Sequence, residues 1–128
     1  MNYLFTAAGR GSRFLKAGLK PPKPLIRVFG IELLIWSMNS FKFIKEDKIY
    51  ITSLKKHRVK ERLEIKLKNL YPDNQIFWLE LEEILNGQLL TAIEAISNFN
   101  ILGPLIIHNC DTSYKCDLKE INLHLEKK

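Results

Sequence analysis

The chain has 128 residues, of which 46% are hydrophobic and 27% are charged, a length and composition that fit one globular domain and exclude two. Its 20 Lys and Arg residues outnumber its 14 Asp and Glu residues, and the formal net charge of +6 favours phosphate-bearing partners. No run approaches the ~20 apolar residues of a membrane span and no signal-peptide pattern is present, so we expect a cytoplasmic protein without a membrane partner.

The first half of the chain alternates between strand-like and helix-like patterns. Residues 3–8 form an apolar run that ends at Gly9, which predicts a buried strand that leads into a loop. Over 31–44 the apolar residues recur at helical spacing and predict a helix. The run 48–52 contains isoleucine and tyrosine residues and predicts the second strand.

The second half of the chain continues this alternation. Ser53 can cap a helix whose apolar stripe runs through 59–70, with lysines and arginines on the other face. Residues 75–79 predict the third strand, an apolar stripe over 89–96 predicts another helix, and 105–107 predict the fourth strand.

Strands that alternate with helices predict a mainly parallel sheet, because parallel neighbours need a crossover connection and a helix supplies it. A capping pair predicts a last helix over 117–125. We therefore expect an open, doubly wound α/β sheet with helices on both faces, as one domain over 1–128. In such sheets ligands bind beyond the carboxyl ends of the strands, where this chain has the segments 9–13, 87–88 and 109–111.

The segment after the first strand has a composition suited to phosphate. Gly9 and Gly11 let the backbone approach a ligand, so that amide groups can face phosphate oxygens, and Arg13 and Lys23 supply positive charge. A simple strand-terminal turn is the structural alternative. A dinucleotide fingerprint needs a third Gly or Ala where Phe14 stands, and a P-loop needs Lys and Ser or Thr after its second Gly, so neither of these patterns fits.

The basic residues are distributed unevenly. Five of them crowd the segment 10–23, whereas those of 55–68 spread along a predicted helix, where we interpret them as a solvated face. The chain has no zinc-finger spacing, no RNA-recognition aromatic motif and no continuous basic helix, so we expect no nucleic-acid partner.

Two motifs stand in the segment 7–25, namely Ala7-Ala8-Gly9-Arg10-Gly11-Ser12-Arg13-Phe14 and Pro22-Lys23-Pro24-Leu25. Together they resemble the signature of the nucleotidyltransferases that activate sugar 1-phosphates and of their phosphocholine-activating relatives: a small-residue strand end, G-x-G-[ST]-R, a spacer and K-P. The resemblance continues through 26–41 and returns at 87–88 and 105–111. It implies a Rossmann-like nucleotidyltransferase fold for most of the chain.

The resemblance also implies an enzyme that transfers a nucleoside monophosphate from a nucleoside triphosphate to a phosphorylated acceptor, such as a sugar 1-phosphate, and releases pyrophosphate. Such a product serves the biosynthesis of nucleotide sugars and polysaccharides. Arg13 is implied to act on the leaving β,γ-phosphates and Lys23 on the α-phosphate region. The residues implied to bind the nucleotide are Ala8, Gly9, Arg10, Gly11, Ser12, Gly87 and Gln88.

The segment 109–111 ends in a carboxylate just beyond the fourth predicted strand. In the family this position is similar to the N-x-D aspartate that holds magnesium, so the resemblance implies Mg²⁺ as cofactor and Asp111 as its ligand. A carboxylate that caps the following turn is the structural alternative for Asp111.

Gly87 and Gln88 resemble the base-recognition segment of the family. There, glycine allows the base to lie against the backbone and glutamine hydrogen-bonds an edge of the base. Helix capping is the structural alternative, and one glutamine does not choose a base because it has two donors and two acceptor lone pairs.

Members of the family run well beyond 128 residues, and their later strands form the acceptor pocket and supply a second magnesium-binding aspartate. No second aspartate of this chain suits that role: Asp117 is too close to a predicted helix start, and Asp47 and Asp73 precede strands, at the opposite edge of the sheet. We therefore expect a truncated N-terminal part, and the alternative is a chain completed by an oligomeric partner. Two other function classes stay open, a nucleotide-binding module without turnover and a basic interaction domain.

Overall fold

The computed structural model of the chain describes residues 1–9 and 21–110. Its strands are β1 (Asn2–Ala7), β2 (Arg27–Val28), β3 (Ile31–Glu32), β4 (Lys48–Leu54), β5 (Gln75–Leu81) and β6 (Leu105–Asn109). Its α-helices are α1 (Leu33–Met38), α2 (Val59–Leu70) and α3 (Gln88–Phe99). Two 3₁₀ turns cover Lys23–Leu25 and Lys55–His57.

The four long strands form one parallel sheet in the order β5–β4–β1–β6. Asn2 lies opposite Lys48 on one side and Leu105 on the other, and Thr6 lies opposite Asn109. A helix in each crossover brings the chain back to begin the next parallel strand. The predicted parallel α/β sheet is confirmed, and its four strands have the predicted order in the chain with ends that differ by one or two residues.

Alternate residues of the central strand β1 face two separate cores. Tyr3 and Phe5 are fully buried in a cluster that includes Leu67 of α2 and residues of α1. Leu4 points to the opposite face, where it packs with Ala95 of α3. This two-residue period is that of a strand buried on both faces, and it confirms the helices predicted on both sides of the sheet.

The helix predicted over 31–44 is wrong at both ends. At its start, Phe29 and Gly30 adopt positive φ angles of 51° and 75° and form the tight turn of a hairpin in which β3 pairs with β2. At its end, the backbone N–H of Ser40 donates to the carbonyl of a residue only three positions earlier, so the helix tightens and stops. Phe41 keeps the helical spacing but is buried through aromatic packing against the first strand.

The predicted cap at Ser53 is also wrong. Ser53 is fully buried in β4, because strand pairing with Ala7 on one side and with β5 on the other continues as far as Leu54. Helix α2 begins instead at Val59 after Arg58, whose φ of 55° is left-handed and whose side chain makes no cap hydrogen bond. The last predicted helix, over 117–125, lies outside the described residues. No helix among the described residues is long and apolar enough to cross a membrane.

Candidate functional site

A cavity of about 380 Å³ lies at the carboxyl ends of the central strands. From β1 the chain adds β4 and then β5 on one side of the sheet, and it then returns to add β6 on the other side of β1. The direction in which strands are added therefore changes between β1 and β6. Such a switch point opens a crevice beyond the strand ends, where open α/β sheets bind ligands. The residues around the cavity are Thr6, Ala7, Ala8, Gly9, Lys23, Pro24, Ile84, Leu85, Asn86, Gly87, Gln88, Thr91, Asn109 and Cys110.

The end of β1 forms the floor of the cavity. Ala8 is only 4% exposed and packs against Leu54 and Leu81, which fixes the last residues of the strand against the core. Gly9 follows as an exposed residue, and a Cβ atom added there would meet no described residue within 4 Å. Packing among the described residues therefore does not require a glycine at this position, and a ligand has room to approach the backbone.

Lys23 is placed at the cavity by a rigid proline-bounded turn. Pro22 caps the 3₁₀ turn with φ −55°, and its carbonyl accepts a 2.8 Å hydrogen bond from the N–H of Leu25. Pro24 is buried, and the proline rings restrict the backbone on either side of Lys23. Among the described residues around the cavity, Lys23 is the one charged side chain. The described part of the cavity wall therefore contributes one positive charge, which suits an anion.

The N-terminus of α3 forms the opposite wall. Gly87 precedes the helix with φ 91° and ψ 167°, a backbone conformation that L side chains rarely adopt, and its carbonyl accepts hydrogen bonds from the backbone N–H and side-chain hydroxyl of Thr91. Gln88 is the exposed first residue of the helix. The first turn of a helix leaves backbone N–H groups without intrahelical partners and carries partial positive charge, which favours anions. Gly87 thus occupies the N-cap position of α3, and base recognition by Gly87 and Gln88 stays a prediction.

The end of β6 supplies the third wall. Asn109 is exposed and lines the cavity, while its neighbour His108 is 5% exposed and turns into the core. The His108 ring lies 5.7 Å from the ring of Phe5 and 5.2 Å from that of Phe41. Cys110, the next residue but one, is 4% exposed, so the side chains of both His108 and Cys110 belong to the packed interior.

The described residues around the cavity do not by themselves suit magnesium. They offer amide and hydroxyl oxygens but no carboxylate, whereas protein sites for Mg²⁺ usually combine one or two carboxylates with substrate phosphates. Nor do the residues of 1–9 and 21–110 contain a group of three or more His, Cys, Asp or Glu side chains that could hold a metal ion. Asp111 lies outside the described residues, one position after the cavity wall, so its role and that of Mg²⁺ stay predictions.

The predicted nucleotide-binding residues divide into two sets. The structure brings Ala8, Gly9, Lys23, Gly87 and Gln88 to one cavity from three separate parts of the chain. The others lie outside the described residues, and they are Arg10, Gly11, Ser12, Arg13 and Asp111.

Sequence reasoning missed several residues of the cavity wall. Thr6 was interpreted only as part of a buried strand, and no role was predicted for the loop 84–86. Thr91 carried a usable signal, because it stands four residues after the glycine that precedes α3, the spacing at which a helical hydroxyl reaches a backbone carbonyl.

Solved structures with a similar fold are nucleotidyltransferases. The nucleoside-diphosphate-sugar pyrophosphorylase of Vibrio cholerae RC9 has a TM-score of 0.81 and 24% sequence identity, over 97% of this chain and 53% of that one. The inositol-1-phosphate CTP transferase of T. maritima has a TM-score of 0.67 and 16% identity, over 88% and 44%. A UDP-glucose pyrophosphorylase in complex with UDP-glucose has a TM-score of 0.64 and 18% identity, over 98% and 53%.

These similarities establish the fold of the chain. The Rossmann-like nucleotidyltransferase fold implied by the two motifs of the segment 7–25 is confirmed. No family model matches the chain, and no curated protein matches it. The chain spans about half the length of the solved structures that it resembles.

Proposed function

We propose that this chain is the nucleotide-binding part of a nucleotidyltransferase, which transfers a nucleoside monophosphate from a nucleoside triphosphate to a phosphorylated acceptor. The observation that carries this proposal is the convergence of Gly9, Lys23 and the N-terminus of α3 on one cavity at the switch point of the sheet. A cation, an accessible backbone and a helix N-terminus are each suited to phosphate oxygens.

The proposed reaction is a displacement at the α-phosphorus. An oxygen of the acceptor phosphate forms a new bond to this phosphorus, the bond from the phosphorus to the β-phosphate oxygen breaks, and pyrophosphate leaves with the electron pair. Both reactants carry negative charge, so positioning and charge neutralisation supply most of the catalysis. Lys23 is assigned to the α-phosphate region and Arg13 to the β,γ-phosphates that leave.

The base is assigned to the wall formed by the α3 N-terminus and the preceding loop. Ile84 and Leu85 are partly buried and belong to the apolar cluster around Ala8, so they can pack against a flat aromatic base. Gln88 is exposed at the rim and can hydrogen-bond an edge of that base. The acceptor is a sugar 1-phosphate or a similar compound, and its pocket is assigned to further polypeptide, in the same protein or in a partner copy.

Removal of the Lys23 charge tests the nucleotide site. Lys23→Ala should weaken the binding of a nucleoside triphosphate by about 1.5–3 kcal/mol, the scale of a hydrogen bond to a charged group. Isothermal titration calorimetry across the four common triphosphates measures this loss and identifies the preferred base. Lys45→Ala is the matched control, because Lys45 is exposed in the loop before β4, at the amino end of the strands. An equal loss in both variants would contradict the assignment.

Asp111→Asn tests the proposed magnesium ligand. The substitution removes the negative charge and keeps the size of the side chain, so it should reduce the gain in triphosphate affinity that Mg²⁺ gives, while binding without Mg²⁺ stays the same or improves. Calorimetric titrations with Mg²⁺ and with a chelator measure this difference. If Mg²⁺ enhances binding equally in both proteins, Asp111 is a structural residue.

A nucleotide-binding module without turnover is the second candidate function. It is favoured by the described lining of the cavity, which offers a cation and a helix N-terminus for phosphate but no carboxylate that could hold a catalytic metal ion. Pyrophosphate release from a triphosphate and a sugar 1-phosphate separates the two candidates, because a binding module shows affinity for the nucleotide but no release above the uncatalysed rate.

A further inference from the structure

A second depression, which we call the basic groove, lies on the other side of the turn that carries Lys23. It has a volume of about 880 Å³ and an apolar floor that includes Leu25 and Leu63. Its charged lining residues are Arg27, Glu32, Lys56, Arg58, Arg62 and Lys66. Five cations thus face one carboxylate in a concave site, whereas the sequence predicted only a solvated basic face for 55–68.

The fold explains why these cations meet. Arg58, Arg62 and Lys66 recur every four residues at the start and along one face of α2, where side chains at this spacing are neighbours. The 3₁₀ turn after β4 places Lys56 at the same end of the helix. The hairpin β2–β3 adds Arg27 from a distant part of the sequence.

Ion pairs within the described residues neutralise only part of this charge. The carboxylate of Glu32, whose side chain is 4% exposed, lies 2.9 Å from the Nζ of Lys66 and 3.3 Å from the Nε of Arg27. Arg58 pairs with Glu61 at 2.6 Å. Within the part of the chain that the structure describes, Lys56 and Arg62 have no carboxylate at ion-pair distance, so the groove has two cations available for an anion.

His57 adds a neutral hydrogen-bonding group to the groove. Burial, and secondly the charge of Lys56, hold the pKa of His57 below its usual value, which keeps the imidazole neutral at pH 7. Its Nδ1 atom is buried and has no hydrogen-bond partner among the described residues. The residue lines the groove, so a ligand bound there changes the surroundings of the imidazole ring.

We propose that the basic groove binds a phosphate group of a small molecule, at a site separate from the nucleotide cavity. Two cations without carboxylate partners fit a group that carries at least two negative charges, and the volume falls in the range of small-molecule pockets. No Phe, Tyr or Trp side chain stands among the described lining residues, so this part of the groove has no row of large aromatic rings on which successive bases of a nucleic acid could stack. This site does not depend on the proposed function, and its ligand is either pyrophosphate or another phosphorylated compound.

The test compares two double variants that lose the same charge. Lys56→Gln with Arg62→Gln neutralises the two available cations of the groove. The matched control, Lys60→Gln with Lys68→Gln, removes two cations of α2 that do not line the groove. Inorganic pyrophosphate is the first probe, titrated calorimetrically into each protein without Mg²⁺. Unchanged circular dichroism spectra and melting temperatures establish that both variants fold. If the groove variant does not fold, the single variant Arg62→Gln is compared with the single control variant Lys68→Gln instead.

We expect pyrophosphate to bind the unmodified protein. The groove variant should bind it at least about tenfold more weakly, because it loses two charge-assisted hydrogen bonds, while the control should change by less than about twofold. Equal weakening in both variants, or no binding by the unmodified protein, would overturn the proposal. The NMR signals of the His57 ring should shift during the titration, and unperturbed signals would contradict a site in this groove.

Repeating the titration with saturating nucleoside triphosphate tests whether the two sites are separate. Pyrophosphate affinity that persists supports separate sites, and full displacement of pyrophosphate would overturn the proposal, because the phosphates would then share the nucleotide cavity. A panel of phosphorylated sugars, tested in competition with pyrophosphate, identifies the ligand of the groove. If one of the sugars binds more tightly than pyrophosphate, the ligand is another phosphorylated compound. If all of them bind more weakly, the ligand is pyrophosphate itself. A single-stranded oligonucleotide that binds more tightly than every small phosphate and loses its affinity in the groove variant would overturn the proposal in favour of nucleic acid.

Discussion

Tyr71 illustrates how one side chain holds two elements together at the end of α2. Its ring contacts Phe43 with centroids 5.2 Å apart, and its hydroxyl donates a 2.5 Å hydrogen bond to the Oδ1 atom of Asn39. Burial raises the pKa of Tyr71 to about 12. The hydroxyl is therefore protonated throughout the physiological range and remains a donor.

This raised pKa predicts a loss of stability at high pH. In the unfolded chain Tyr71 ionises near its usual pKa of about 10, so the stability that its protonated form contributes is complete below that pH and is lost as the pH rises towards 12. In Tyr71→Phe this part of the pH dependence of stability should disappear. The free energy of unfolding at neutral pH should fall by about 0.5–1.5 kcal/mol, because the hydrogen bond is lost. Urea unfolding at several pH values measures both effects. An unchanged slope above pH 10 in the variant would show that another group is responsible.

At single positions, motifs drew attention to residues that the structure brings together. Lys23 and Gly87 both line the cavity, while the roles predicted for them in nucleotide binding remain predictions. Thr6 and the loop 84–86 could not be identified in this way. Thr6 lies within β1 and reaches the cavity through the register of the strands, and the loop 84–86 reaches it through the path of the chain after β5. Local sequence pattern encodes neither.

Helix α2 shows at the level of an element how packing, rather than propensity, holds the fold. Leu67 is fully buried in the core that it shares with Tyr3 and Phe5, whereas Ile65 on the same helix is 74% exposed. The stability that the helix contributes is thus concentrated on one stripe.

A pair of alanine substitutions in α2 tests this distribution. Leu67→Ala should lower the free energy of unfolding by about 2–5 kcal/mol, because it removes buried surface and leaves a cavity. Ile65→Ala should change it by less than about 0.5 kcal/mol, since the side chain is exposed. Denaturant unfolding monitored by circular dichroism gives both values. Similar costs at the two positions would mean that the helix packs through a different face.

Strands were easier to predict than helix ends. The four long strands follow from apolar runs bounded by turn residues, and these local features persist in the fold. The helix over 31–44 was overestimated because Phe41 keeps helical spacing while its burial comes from a ring contact with Tyr3, 5.1 Å away. A contact between residues so far apart in the chain is invisible to a periodicity argument.

For the molecule as a whole, topology was predictable and the distribution of charge was not. Alternation of strands and helices leads to a parallel sheet with helices on both faces, since few other arrangements satisfy the crossover rule. The basic groove joins a 3₁₀ turn, a helix and a hairpin, and its cations look dispersed in the sequence. Only the folded chain shows which of them lie close together.

Because β1 lies between β4 and β6, it gains its two neighbours at different times during synthesis of the chain. The side chain of Asn2 donates to the carbonyl of Pro104, 102 positions later, just before β6, which pairs with β1 on that side. At typical synthesis rates the ribosome needs about 5–20 s to make that intervening chain. Until then one edge of β1 has no native partner, and exposed apolar strand edges invite pairing with other chains. Of the two described strands that are paired on both sides, β1 and β4, the one that comes earlier in the chain is thus the later to gain both of its neighbours.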